Sequence, residues 1–191
     1  MSARRYAPLL LVLAILGAGL PAAAAVATAQ LAPDFVLVNQ DGATVRLSQF
    51  RGRFVLLSFL YTHCVDVCPL TTAKLATVQR DLQQRGWAGG RVVLLSLTFD
   101  PRRDTPAVLR KYAANFKVDH RSWHFLTGPP AIVTKVLGAY RIPVRPAAKP
   151  GLIDHGLPTL IIDDQGHILG HYEPDFDPHA VVRDLTALLG R

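Results

Sequence analysis

The sequence contains only two cysteines, Cys64 and Cys68, among its 191 residues. A structural zinc site normally takes four protein ligands, so this pair alone cannot supply one. A static disulfide between them would close a very small loop and add little restraint to a domain large enough for its own core. The pair is therefore better explained by reactivity or metal binding than by structural support.

Cysteine is also absent from the first 29 residues, which excludes lipoprotein attachment there. Arg4 and Arg5 precede an apolar run over 9–20 and a stretch of small residues, which is the pattern of a secretory signal peptide. We expect 1–29 to direct export to the bacterial periplasm. A retained membrane anchor is the alternative, because 7–29 is long enough to cross a bilayer of ~30 Å.

Charged residues make up only 18% of the chain and hydrophobic residues 50%, as in a packed globular domain. We find no repeat, low-complexity segment or linker after residue 29, so 30–191 is predicted to be one domain. The densest basic cluster is Arg141, Arg145 and Lys149, which lacks the interleaved aromatic residues of single-strand nucleic-acid binding. Nucleic acid is not an expected partner.

Strand patterns are clearest at four places. Alternating hydrophobic residues around the turn at 39–42 predict an N-terminal hairpin, and a second hairpin is predicted at 160–172. Continuous apolar runs at 54–60 and 92–99 predict strands that are buried on both faces. A further short strand is predicted at 124–126.

Four helices are predicted from apolar residues at helical spacing. They run from about Cys68 to before Gly86, from Thr105 to about Phe116, around 132–140, and over 181–188. Thr105 followed by proline is the pattern of a helix N-cap. The order hairpin, strand, helix, strand, helix, helix, hairpin, helix predicts an α/β fold, in which a central mixed sheet has helices on both faces.

Both cysteines lie where a predicted strand leads into a helix. The unpaired N–H groups and the positive dipole at a helix N-terminus favour thiolate, so we expect a lowered pKa for at least one thiol. Thiolate is both the nucleophile of disulfide exchange and the form that binds metal. Soft Cu(I) accepts two thiolates and a third donor such as histidine.

Four ordered motifs resemble the SCO/SenC family. YTHCVDVCP at 61–69 is similar to that family's YTHCPDVCP signature and differs only at Val65. LTFDPRRDTPAVLRKYAANF at 97–116, WHFLTG at 123–128 and IDHG at 153–156 follow at the expected distances. The resemblance covers about residues 31 to 189.

The resemblance implies a thioredoxin fold that binds copper, as Cu(I) or Cu(II), through Cys64, Cys68 and His155. It also implies delivery of copper, or of electrons, to the copper A site of cytochrome c oxidase or to another periplasmic copper or thiol protein. Asp100 and Asp104 match the family's DPxxD motif, with a structural or docking role that the sequence does not specify. His155 also precedes a buried-strand pattern, where site residues are common. The other histidines are expected on the surface or in hairpins.

Leu157-Pro158-Thr159 departs from the family pattern and resembles the cis-proline segment of disulfide-exchanging thioredoxins. We therefore predict a cis Leu157–Pro158 bond, with an alternative function as a thiol-disulfide oxidoreductase. In that case Cys64 attacks a partner disulfide and Cys68 resolves the mixed disulfide. No peroxidase signature precedes Cys64. The favoured prediction is a monomeric metallochaperone without catalytic turnover.

Overall fold

The computed structural model describes residues 30–146, 153–155 and 158–190, with the backbone alone at 144–146 and 153–155. The predicted signal or anchor segment, 1–29, lies outside these residues. None of the helices in the described ranges has the length and apolar character needed to cross a membrane.

Within the described ranges, eight strands form one sheet and two more form a small separate sheet. The strands are β1 (Gln30–Leu31), β2 (Val36–Asn39), β3 (Thr44–Arg46), β4 (Phe54–Leu60), β5 (Val92–Thr98), β6 (Trp123–Thr127), β7 (Val144–Pro146), β8 (Ile153–His155), β9 (Thr159–Ile162) and β10 (His167–Tyr172). The order in the large sheet is β1-β10-β9-β4-β5-β6-β2-β3. Strands β4, β5 and β6 are parallel and the others pair antiparallel, which confirms the mixed sheet.

The helices are α1 (Val67–Gln84), α2 (Pro106–Ala114), α3 (Pro130–Ala139) and α4 (Pro178–Leu189), with a 3-10 turn at Leu47–Phe50. The predicted cap of α2 is present, since Thr105 Oγ1 accepts the Val108 N–H at 3.4 Å. The Asp177 carboxylate likewise accepts the His179 N–H at 2.9 Å at the start of α4. These side chains satisfy amides that have no partner within the helix.

Helices cover both faces of the sheet. Ser58, Ser96 and Phe125 are aligned across β4, β5 and β6 and therefore face one side, where Phe125 contacts Tyr112 of α2. Phe59 follows Ser58 and faces the other side, where its ring lies 6.2 Å from Tyr140 at the end of α3. Helix α1 is joined to α2 by a hydrogen bond and contacts α4. Helices α1, α2 and α4 thus share one face, and α3 covers the other.

A short chain of polar side chains crosses the core. Every residue of β4 and β5 is buried, including Ser58 and Ser96. The two serine hydroxyls lie 2.7 Å apart, and the Trp123 indole N–H donates to Ser96 Oγ at 2.9 Å. The two serine hydroxyls and the indole N–H therefore each have a partner, which offsets the cost of removing them from water.

Two short strands that were not predicted, β7 and β8, pair antiparallel, and the second ends at His155. Strands of three residues are too short to show a periodicity in the sequence.

The expectation for two histidines needs correction. His124 is not a surface residue, because it lies on β6 and stacks on Phe50 with 5.9 Å between ring centroids. Burial there lowers the pKa of His124. His120 is also partly buried, with its ring nearly perpendicular to that of Phe125 and 6.3 Å between the ring centroids.

Candidate functional site

The candidate site is built from two loops at the carboxyl ends of adjacent parallel strands. Residues 61–66 connect β4 to α1 and carry Cys64, and residues 99–105 connect β5 to α2 and carry Asp104. Open α/β sheets commonly place functional groups at this edge, because the loops that leave neighbouring parallel strands meet there.

The structure brings the two cysteines together as reduced thiols. Helix α1 begins one residue before Cys68, and the Cys68 N–H donates to the Cys64 sulfur at 3.4 Å. The Cys64 N–H in turn donates to the Tyr61 carbonyl at 3.2 Å, which turns the loop back toward the helix. Cys64 is partly exposed, whereas Cys68 is 1% exposed. One sulfur is therefore accessible and the other is held beneath it.

The environment of Cys68 opposes its ionisation. Its pKa is raised, first by the hydrogen bond between its thiol and Cys64 and then by burial, while a hydrogen bond with the Tyr61 backbone acts in the opposite direction. The prediction of a lowered pKa for at least one thiol therefore does not hold for Cys68 and rests on Cys64.

His155 lies in β8, where its backbone pairs with Val144 of β7. Its side chain lies outside the described part, so its approach to the sulfurs stays a prediction, as does the isomer of the Leu157–Pro158 bond, because Leu157 is outside that part too. Among the described side chains, no group of three histidine, cysteine or acidic residues is placed to hold a metal ion.

Asp104 is a component of the site whose role the sequence did not reveal. It is completely buried and accepts hydrogen bonds from the Thr62 hydroxyl at 2.5 Å, the Thr62 N–H at 3.2 Å and the Thr98 hydroxyl at 2.5 Å. Burial raises the pKa of Asp104, and these three donors partly counter that rise. Asp100 points elsewhere, toward Arg103.

A second support comes from α2. The hydroxyl of Thr72 donates to the Cys68 carbonyl at 2.8 Å and lies 2.9 Å from the hydroxyl of Tyr112. Because the Thr72 proton is used in the first bond, the Tyr112 hydroxyl is the donor in the second. The segment after β5 therefore contacts the cysteine loop through Asp104 and the second turn of α1 through Tyr112. No spacing rule in the sequence could have paired Tyr112 with Thr72.

Comparison with known proteins identifies the family. The SCO1/SenC family model matches residues 23–190 of this chain. The chain belongs to the SCO1/SenC family. This confirms the resemblance that the four sequence motifs indicated.

Relatives in this family include the SCO1 protein homolog of Bacillus subtilis, which is 36% identical over 94 residues. That match spans 49% of this chain and 47% of the Bacillus protein. Protein SenC of Rhodobacter capsulatus is 29% identical over 166 residues, or 85% of this chain and 72% of the relative. The chain thus spans about half of one relative and most of the other.

Solved SCO structures share this fold. The copper-bound structure of Bradyrhizobium japonicum ScoI has a TM-score of 0.72 at 28% identity and covers 82% of this chain and 98% of that one. Together with the sheet order and the helices on both faces, this likeness confirms the predicted thioredoxin-like α/β fold.

Proposed function

We propose that this protein binds copper through Cys64, Cys68 and His155 and works as an assembly protein for cytochrome c oxidase. It delivers the copper to the copper A subunit or reduces the cysteines of that site. The observation that carries the proposal is the convergence of two free cysteines, one in the loop after β4 and one in the first turn of α1. Copper is the cargo here, and no catalytic turnover is required.

The donor chemistry fits copper. Two thiolates and one imidazole are soft to intermediate ligands, which suit Cu(I) and are also compatible with Cu(II). Two cysteines are too few for a structural zinc site, which normally takes four protein ligands. The copper-bound ScoI structure belongs to a protein of the same family and supports this assignment.

The unequal exposure of the sulfurs suits transfer. Cys64 lies at the surface beside Val65, which is 87% exposed, so a partner can approach this sulfur directly. Cys68 lies beneath it in the first turn of α1. A partner thiol can therefore replace the ligands one at a time, beginning with Cys64.

The same asymmetry supports a second function as a thiol-disulfide oxidoreductase. The Cys64 thiolate would attack a partner disulfide, forming a mixed disulfide and releasing one partner thiolate. Cys68 would then lose its proton and attack the Cys64 sulfur, which releases the second partner thiolate. The partner gains two electrons and two protons, and Cys64 and Cys68 end as a disulfide.

Titration of the reduced protein with Cu(I) against a competing chelator tests the proposal. Wild type should bind one Cu(I), and Cys64→Ser or Cys68→Ser should weaken binding by roughly 100-fold or more, because a thiolate is lost. His155→Ala should weaken it by roughly tenfold or more while disulfide exchange continues, because exchange requires only the sulfurs.

His179→Ala is the matched control, because this imidazole lies on α4 and contacts Asp81. It should bind copper as wild type does. If wild type binds copper no better than the cysteine variants but reduces disulfides efficiently, the copper function is wrong and the oxidoreductase function replaces it.

The proposed location is the periplasm, with 1–29 acting as a cleaved signal peptide or a retained anchor. The arginine pair and apolar run in that segment support export. Cell fractionation followed by mass determination of the mature protein separates the two forms. Recovery of the full-length chain in the cytoplasm would contradict export.

A further inference from the structure

We propose that Asp104 is a positioning residue that holds the Cys64 loop, through Thr62, against the end of β5. The inference rests on the proposed function in one respect, because it concerns the same two sulfurs. The task is assigned from the hydrogen bonds of Asp104 to Thr62 and Thr98.

The hydrogen bonds of the Asp104 carboxylate go to the cysteine loop and to the end of β5. Thr62 lies two residues before Cys64 and gives both its N–H and its hydroxyl to this carboxylate. Thr98, the last residue of β5, gives its hydroxyl to the same group. Asp104 therefore ties the cysteine loop to the end of a central strand.

Further hydrogen bonds hold this tie in place. The Asp104 N–H donates to the Asp100 carbonyl at 2.9 Å, and the Asp100 N–H donates to Thr98 Oγ1 at 2.9 Å. Thr98, Asp100 and Asp104 are buried and Thr62 is partly buried, so water has little access to the accepting carboxylate. The Asp104 carboxylate accepts all of its hydrogen bonds from Thr62 and Thr98, as an ionised carboxylate, which has no proton to donate, must do.

The position of the loop sets the effective concentration of the Cys64 thiol near the Cys68 thiol. Formation of a disulfide takes two electrons and two protons from Cys64 and Cys68, and glutathione disulfide accepts them to become two glutathione thiols. A loop held in place brings the sulfurs together in advance and favours the S–S bond. A released loop lowers that effective concentration and makes the disulfide easier to reduce.

The test measures the reduction potential of the metal-free pair in glutathione buffers. Asp104→Asn replaces one carboxylate oxygen with an amide NH2 group, which cannot accept a hydrogen bond from Thr62 or Thr98. Thr62→Val removes the Thr62 hydroxyl. Each should lower the effective concentration about tenfold, which makes the potential less negative by about 30 mV. Thr62→Ser keeps the hydroxyl and should have the wild-type potential.

Thr71→Val is the matched control. Thr71 is buried in α1 three residues after Cys68, and its hydroxyl has no hydrogen-bond partner in the described part of the chain. This variant should keep the wild-type potential. If Asp104→Asn does not fold, Thr62→Val and Thr62→Ser decide the question.

The inference is overturned if folded Asp104→Asn or Thr62→Val has the wild-type potential, or if Thr71→Val shifts it equally. The measurement contains no copper, so it separates this inference from the proposed function. A protein that fails to bind copper can still show the shift, and a protein that binds copper can lack it.

Discussion

The backbone N–H of Cys68 donates to the sulfur of Cys64 with 3.4 Å between the two atoms. The first turn of α1 thus places an amide donor, rather than a second charged group, against the more accessible sulfur. An amide donor at this position stabilises a thiolate on Cys64. The two cysteines are therefore chemically different although they lie in one short motif.

Selective alkylation follows from this difference. Iodoacetamide should modify Cys64 faster than Cys68 by more than about tenfold, because alkylation needs an accessible thiolate and Cys68 has a raised pKa. Mass spectrometry of peptides from a timed reaction measures both rates. In urea the two rates should become similar. Equal rates in the folded protein would contradict the assignment of Cys64 as the reactive sulfur.

Ser96→Ala should destabilise the protein by about 1–3 kcal/mol, because it leaves the buried Trp123 indole N–H without its acceptor. Urea unfolding at equilibrium measures this loss. Ser58→Ala is the control and should cost less, since Ser96 then still accepts from Trp123. The account of the polar chain in the core fails if the two variants have the same free energy of unfolding.

Asp119 should contribute to the acid sensitivity of folding. Hydrogen bonds from the Arg121 side chain lower the pKa of Asp119 to about 2. A carboxylate with a lowered pKa in the folded state stabilises the protein above the pKa it has when unfolded, and this contribution is lost as pH falls from about 4 to about 2. Asp119→Asn should therefore show a flatter decline in unfolding free energy over that range. Parallel curves for wild type and variant would exclude this contribution.

The sequence predicted most of the large sheet because its signals are local. The apolar runs that became β4 and β5, and the threonine-proline start of α2, each encode one element within a few neighbouring residues. The pairing of Asp104 with Thr62 could not be predicted in this way. It depends on two strands lying side by side, which brings residues 42 positions apart into hydrogen-bond contact.

The cysteine motif shows the same limit. Its position before α1 was evident from the sequence, and so was the tendency of a helix N-terminus to favour thiolate. The sequence did not reveal that the Cys68 thiol would be buried and hydrogen-bonded to Cys64. Both effects raise the pKa of Cys68. Burial depends on how the helices pack on the sheet, so the motif alone did not show which sulfur it would affect.

The most direct test of the central claim is X-ray absorption spectroscopy of the reduced protein loaded with one equivalent of Cu(I). The account predicts two sulfur donors and one imidazole nitrogen, with the nitrogen lost in His155→Ala and one sulfur lost in Cys64→Ser or Cys68→Ser. Fewer than two sulfur donors in wild type, or a nitrogen donor that persists in His155→Ala, would contradict the assignment of Cys64, Cys68 and His155 as the copper ligands.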